Sequence, residues 1–549
     1  MCDKSYNKKT CKHVFLQYTY YFFMKKIFII LIIINAILVS GIIYFTKHQK
    51  QVDALQLLQE SYSKPHTPSV DHTKFEILQK KFNSPQEVTA ACLSCHTERG
   101  KEVMNTRHWK WQNEEYIEGR GLTNLGKKNI LNNFCIGIGG NEQSCNRCHA
   151  GFGWADSTFD FHNQHNIDCM VCHDNTGEYF KQSGGAGNPD PSVNLNKVAT
   201  QVGKPLKANC GYCHFYGGGG NNVKHGDLED AQLNCSRDVD VHMAKTGINM
   251  ECVDCHTTEK HVISGKMYSV SSTNTNRLSC TQCHGNTPHE LSIINEHTVK
   301  VACQTCHIPT YAKANATKMT WDWSTACKLK NGEPYHEEDS LGNHTYLSEK
   351  GTFTWGKDVK PEYVWFNGTA DHYMFGDKVD TTKPIAMNTL RGSYNDPAAQ
   401  IVPVKVHRAN QLFDPVNGRM IQPKLFDKEK GKGALWKDFD FDAASAAGMK
   451  YIGQPYSGTY TFVQTESFWP LNHQVAPKEQ SLSCKECHST NGRLANLNDF
   501  YLPGRDQHAG VELFGMLSII LSFIGIAIHA SLRIRAHKRQ QTESKTIEQ

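Results

Sequence analysis

The chain has 549 residues, including 21 Cys and 28 His, and carries a formal charge of +5. Sixteen of the cysteines fall in one repeated pentapeptide, leaving Cys2, Cys11, Cys135, Cys235 and Cys327, so a disulfide scaffold is excluded as the main use of cysteine. Apolar residues are 39% of the chain, modest for a soluble body with hydrophobic segments at both ends, so something other than side chains must fill part of the interior.

In chain order, residues 1–23 carry no targeting pattern. Met24, followed by Lys25 and Lys26, reads as a true start, with 1–23 either a mis-assigned extension or a cytoplasmic tail. Ile27 to Phe45 is an apolar run broken only by Asn35 and Ser40, long enough to span a bilayer. No A-x-A cleavage site follows it, so residues 24–46 are expected to form an uncleaved transmembrane signal-anchor. Residues 47–85 read as a polar connector.

Residues 86–310 hold seven copies of C-x-x-C-H: Cys92, Cys95 and His96; Cys145, Cys148 and His149; Cys169, Cys172 and His173; Cys210, Cys213 and His214; Cys252, Cys255 and His256; Cys280, Cys283 and His284; Cys303, Cys306 and His307. An eighth, Cys484, Cys487 and His488, lies in residues 478–510. Zinc ribbons and redox sites also use CxxC, but neither needs His directly after the second Cys. In c-type haem attachment the two thiols add to the vinyl groups and the His reaches back to the iron. Eight covalent c-type haems are therefore expected. With both propionates ionised, each ferric bis-ligated haem adds about −1, so eight bring about −8 and cancel the basic balance. The charge then gives no reason to expect nucleic acid as a partner. Such attachment happens outside the cytoplasmic membrane.

Residues 311–477 lack haem motifs and are rich in aromatics, among them Trp321, Trp323, Trp355, Trp365 and Trp469. Their Gly-, Pro- and Asn-rich texture predicts loops and short strands wrapped round the haem core, with the aromatics packed on porphyrin faces. Leu513 to Leu532 is a second apolar run, predicting a transmembrane helix over 511–532. The basic stretch Arg533 to Arg539 opens the tail 533–549, and with Lys25–Lys26 it puts both ends in the cytoplasm. The expected fold class is mainly α with much irregular loop, packed around eight haems and flanked by two transmembrane helices. The expected location is a bacterial inner membrane, with residues 46–510 in the periplasm.

An electron-transfer haem needs a second strong axial ligand. The histidines nominated for this are His108, His242, His261, His289, His297, His407 and His473, with His225 and His372 as alternates. His66, His72, His162, His165, His336 and His344 look weaker as ligands. After the fourth motif, Gly217 to Gly220 lead into Asn221, Asn222, Val223 and Lys224. Four glycines let the backbone pass close to something bulky. A lysine amine ligates iron only when deprotonated, which needs burial.

The segments CGYCHFYGGGGNNVKHGDLED, NNFCIGIGGNEQSCNRCH, HMAKTGINMECVDCHTTEKHVISGK, VACQTCHIPTYAKANATKMTWDWSTA and CKECHSTNGRLANLNDFYLPGR closely resemble the octahaem tetrathionate reductase family. The likeness runs over roughly residues 86–505. It implies seven bis-His haems and one active-site haem, at Cys145 and Cys148, with His149 proximal and Lys224 distal. Asn132 and Cys135 match residues the family sets beside that haem. The family has an acidic residue three before the Lys; this chain has Asn221, which can only hydrogen-bond, and Asp227 is the nearby substitute.

The resemblance implies a periplasmic oxidoreductase of anaerobic respiration that splits tetrathionate into two thiosulfates. Cys135 is the candidate thiolate to attack the S–S bond. Its partners would be a membrane quinol-linked or cytochrome electron donor and a small inorganic substrate. Two readings stand beside it: a nitrite or hydroxylamine reductase, and an electron conduit with no substrate.

Overall fold

The computed structural model describes residues 8–62, 69–131 and 137–547. Among the described residues two helices are long and apolar enough to cross a membrane: α1 (Lys8–Tyr62), whose apolar part is Met24–Phe45, and, at the other end of the chain, α5 (Ala509–Ile547), whose apolar part is Ala509–Arg539. The apolar part of neither is buried against the rest of the chain.

The haem-motif region is built from short helices. Motif one ends α2 (Pro85–Cys95), which starts at Ser84, whose hydroxyl accepts from the Glu87 amide, with Pro85 at the first helical position. Glu87 reaches back to accept from the Asn83 amide, closing the local S-x-x-E pattern. Motif four ends α3 (Lys207–His214), and motifs three, five, six, seven and eight each lie on about one helical turn. One turn brings both thiols and the following His to one side, as a single porphyrin requires.

The stretch without motifs is the body of the fold. It contributes nine strands to one sheet: β1 (Thr317–Asp322), β2 (His336–Glu338), β3 (His344–Leu347), β4 (Gly351–Gly356), β5 (Glu362–Phe366), β6 (Ile385–Ala386), β7 (Gln400–Asp414), β8 (Arg419–Met420) and β9 (Thr461–Pro470). The order is β6-β9-β7-β1-β4-β3-β2, with β5 and β8 also pairing with β7. The 15-residue β7 is buried along almost its whole length on both faces. Helix α4 (Phe441–Tyr451), capped by Asp440 accepting from the Ala443 amide, contributes Phe441, Ala444 and Met449 to the sheet core.

Two expectations are corrected here. Helix accounts for 33% of the chain, and with a nine-stranded sheet the fold is mixed rather than mainly α. Trp321 and Trp323 stack on each other at 4.7 Å inside the sheet core, so these aromatics serve the strands and not porphyrin faces. A core that needs large apolar volume between strands takes them up directly.

Candidate active site and haem sites

Two imidazoles on opposite sides of one metal ion, each about 2.0 Å from it through nitrogen, put their ring centroids roughly 6 Å apart. Seven motif histidines face a non-motif histidine at such a distance. The pairs are His96–His72 at 6.4 Å, His173–His261 at 6.5 Å, His214–His108 at 6.2 Å and His256–His473 at 6.2 Å. The others are His284–His242 and His307–His289, both at 6.0 Å, and His488–His297 at 6.1 Å.

Hydrogen bonding supports the same use of these rings. Nδ1 of His173, His256 and His488 meets the carbonyl oxygens of Gly203, Ser264 and Pro503 at 2.8, 2.8 and 2.9 Å. Nδ1 of His297 meets the Ile293 carbonyl at 2.6 Å, and that of His289 the Asn295 side-chain oxygen at 3.1 Å. Nδ1 of His261 meets Glu102 at 2.8 Å, and that of His473 meets Asp227 at 3.2 Å. With Nδ1 tied as donor, Nε2 is left as the ligating nitrogen, the usual arrangement around a metal-binding His. Burial holds the His214 imidazole down to about 3, so it is neutral, as ligation requires.

Of the nominated histidines, the structure sets His108, His242, His261, His289, His297 and His473 opposite a motif histidine. His407 is the correction. It is buried in β7, two residues from Lys405 and opposite Ser467 in register, and His72 takes the place facing His96. His72 stands in the polar stretch before the first motif, where the local sequence carries no signal for a ligand. The alternates are used otherwise: His372 spends Nε2 on the Tyr268 carbonyl at 2.8 Å, and His225 stands edge-on to Trp469 at 5.1 Å.

His149 is the exception among the motifs. Its ring sits in an aromatic cage, 5.2 Å from Trp109, 5.4 Å from Trp111 and 4.8 Å from Trp154, and no second histidine faces it among the described residues. Its Nε2 meets the Trp109 carbonyl at 2.7 Å, a bond to be given up when Nε2 ligates a metal, and burial pushes its pKa down to about 3.

Lys224 is 4% exposed and lines a small cavity with Leu131, Ser467 and Trp469. Its Nζ stands 4.8 Å from the centre of the Trp469 ring. The loop before it is tightly specified. Gly218 and Gly219 have φ of 83° and 94°, and a Cβ on Gly217 would lie 3.4 Å from Lys224 Cδ. The left-handed backbone at Gly218 and Gly219 is what requires glycine here, and at Gly217 the loop runs in ordinary contact with the Lys224 stem. Asn222, itself left-handed at φ 55°, closes the loop by donating from its amide to the Phe215 carbonyl at 2.9 Å. From β7, Lys405 donates through Nζ to the carbonyls of Val223 and Lys224 and to Thr317 Oγ1 at 2.9, 3.1 and 2.6 Å.

Opposed residues on antiparallel strands share a face. Lys405 opposes Trp469 and His407 opposes Ser467, so on β7 they share the sheet face of two residues that line the Lys224 cavity. The His407 pKa is held well below the ordinary value by burial first and by the charges of Lys405 and Lys318 next. Sequence reasoning missed Lys405 altogether, because a lysine in a strand reads as solvent-facing.

Asn221 exchanges two hydrogen bonds with Asp230, at 2.7 and 2.9 Å, and Asp230 also accepts from Tyr216 at 2.9 Å. Asp227 is not the substitute acid. It accepts from the amides of Asn472 and His473 and from His473 Nδ1, which commits it to the pair His256–His473. Asn132 and Cys135 lie outside the described residues.

The motif thiols also record which sites are neighbours. Cys92 reaches Cys169, Cys148 reaches Cys213, Cys210 reaches Cys252 and Cys280 reaches Cys303. Cys172 and Cys210, Cys255 and Cys283, and Cys306 and Cys487 are near neighbours as well. The eight motifs thus form one connected series, with the second as a side branch on the fourth.

The solved structure of the octahaem cytochrome c from Shewanella oneidensis is 43% identical to this chain, with a TM-score of 0.73, and the match covers 78% of this chain and 97% of that one. This chain belongs to the octahaem cytochromes c. A family model described as Cytochrome c bacterial matches residues 318–491, the sheet and the eighth motif. An uncharacterised protein of Archaeoglobus fulgidus is 25% identical over 244 residues, 35% of this chain and 80% of that protein. As an octahaem cytochrome c the chain binds c-type haem covalently at its C-x-x-C-H motifs and has an electron-transfer or reductase role. The seven facing pairs fit such a complement.

Proposed function

We propose that this octahaem cytochrome c is a membrane-anchored periplasmic reductase of anaerobic respiration. In this reading seven haems would each be held by two histidines, and the eighth, at Cys145 and Cys148, would be held by His149 and Lys224. Its reaction is the two-electron reduction of tetrathionate to two thiosulfates, with electrons from a quinol-linked or cytochrome donor. The observation that carries the reading is the asymmetry among the eight motifs: among the described residues seven motif histidines face a second histidine and His149 does not, while a buried lysine stands on a specified loop.

When bound, the haem at the second motif supplies electrons one at a time and an iron that can polarise the substrate. The chain's own residues do the rest. Lys405 and Thr317 fix the Lys224 backbone, Trp469 covers its amine, and the two apolar helices, α1 and α5, hold the protein at the membrane. In the proposed sequence the Cys135 thiolate attacks the central S–S bond. One thiosulfate leaves, and a cysteine S-thiosulfonate remains. Two electrons then release the second thiosulfate and restore the thiolate.

Tetrathionate reduction consumes no proton, whereas nitrite and hydroxylamine reduction consume several. Asn221 in place of an acid, with Asp230 engaged by Asn221 and Tyr216, therefore favours the sulfur substrate. A turnover assay with reduced dye against tetrathionate, nitrite and hydroxylamine tests this, with Lys224→His beside the natural protein. Tetrathionate should be the best substrate. The variant should keep eight haems, convert the odd one to bis-His, and lose activity by at least about tenfold. Preferred turnover of a nitrogen compound would replace the substrate, and no turnover of any would favour the conduit reading.

A further inference from the structure

We infer that the hairpin of β2 and β3 is a binding site for a divalent transition-metal ion, held by His336, Glu338 and His344 and separate from every haem site. Among the described residues these three bring their ligand atoms within 4.8 Å of one another. Glu338 Oε1 stands 3.2 Å from His344 Nδ1 and 3.8 Å from His336 Nε2, and the two rings lie 5.3 Å apart at 80°. An ion near their centre needs only small rotations of exposed side chains to be reached by all three.

The backbone explains the convergence. Glu338 opposes His344 in the ladder, and His336 is two residues before Glu338, so all three project from one face. The register shifts between Glu337 and Glu338, and such a bulge re-aims the side chains beside it. The turn is held internally. Asp339 Oδ1 accepts from the amides of Leu341 and Asn343, both at 2.9 Å, and its other oxygen accepts from the Asn343 side chain at 2.9 Å. Asp339 is thereby spent on the turn, which leaves Glu338 as the acid of the site. A braced turn reduces the ordering cost of gathering three ligands.

The donor set fixes the class of ion. Two imidazoles and one carboxylate suit zinc, nickel or copper, whereas calcium and magnesium call for oxygen ligands. Three protein ligands leave at least one position for water or for a donor from another molecule. β2 ends the strand order of the sheet, and neither histidine faces a haem-motif histidine, so occupancy should leave the haem spectrum unchanged. The ligands are substantially exposed, with side chains 62%, 44% and 46% accessible, which points to binding in roughly the micromolar range rather than a deep structural site.

The test uses the full-length, haem-loaded protein, washed with chelator, which leaves covalent haem in place. Zinc chloride is titrated in by calorimetry into the natural protein, His336→Ala, His344→Ala and the double variant. The natural protein should take up one more zinc than the double variant, and each single change should weaken that site at least about tenfold. A hundredfold excess of calcium should leave the zinc titration unchanged. Crystals soaked in zinc should give one anomalous peak between the three side chains at the zinc edge. Equal zinc uptake by the natural protein and the double variant, competition by calcium, or no peak at saturating zinc would each overturn the assignment. Unchanged haem absorption and melting temperature in the variants exclude misfolding as the cause of lost binding.

Discussion

The side-chain amine of Lys405 donates to the main-chain carbonyl of Lys224 at 3.1 Å, so one buried lysine positions another. The same amine holds the Val223 carbonyl and the Thr317 hydroxyl, and burial pushes its pKa well down. Replacing Lys405 by Met keeps the volume and removes all three bonds. Each buried carbonyl then lacks its donor, at about 1–3 kcal/mol apiece if nothing relaxes. Lys405→Met should retain the full haem content and lower the melting temperature. It should also make the spectrum of one haem heterogeneous, as the Lys224 amine loses its fixed origin. Normal ligation and activity in that variant would show that the loop holds Lys224 without the clamp.

His72 and His407 exchange roles between sequence and structure, and paired variants decide between them. His72→Ala should convert one low-spin haem to a high-spin or ligand-exchangeable one, because His96 then has no facing ring. His407→Ala should leave all bis-His signals intact and alter turnover instead, since that imidazole lies opposite Ser467, which lines the Lys224 cavity. EPR at low temperature reads both outcomes.

Buried Asp227 and half-buried His473 form a pair with a redox consequence. Burial alone would lower the His473 pKa, but the Asp227 hydrogen bond and charge outweigh it and the net shift is upward. A carboxylate on Nδ1 makes the ring a stronger donor to a metal and favours the ferric state. Asp227→Asn keeps the size and weakens that effect. The haem between His256 and His473 should rise in potential by on the order of 60 mV, the one-electron equivalent of a tenfold change. Spectroelectrochemistry should show one component of eight moving. A uniform shift of all components would point to a global change.

The two apolar helices, α1 and α5, make the topology testable in cells. Alkaline phosphatase fused after residue 100 should be active, and fused after Arg539 it should be silent, because basic residues flank the cytoplasmic side of each run. Activity of the C-terminal fusion would place that end outside.

What the sequence alone determined is everything governed by local covalent geometry. C-x-x-C-H states its own chemistry, since one porphyrin dictates the spacing of two thiols and an imidazole within a single turn. The two apolar runs are legible for a similar reason, as length and composition suffice. The Gly217–Lys224 loop was visible as unusual. Only the tertiary structure decided which histidine faces which, because each distal ligand reaches its partner across the fold, and His473 meets His256 only after the chain has passed through the whole sheet. The sheet itself was hidden. β7 is buried on both faces, so it carries lysine, histidine and valine without the alternation that marks a half-exposed strand. A lysine such as Lys405 becomes part of the site only when three acceptors are brought around it, and that is a property of the folded chain.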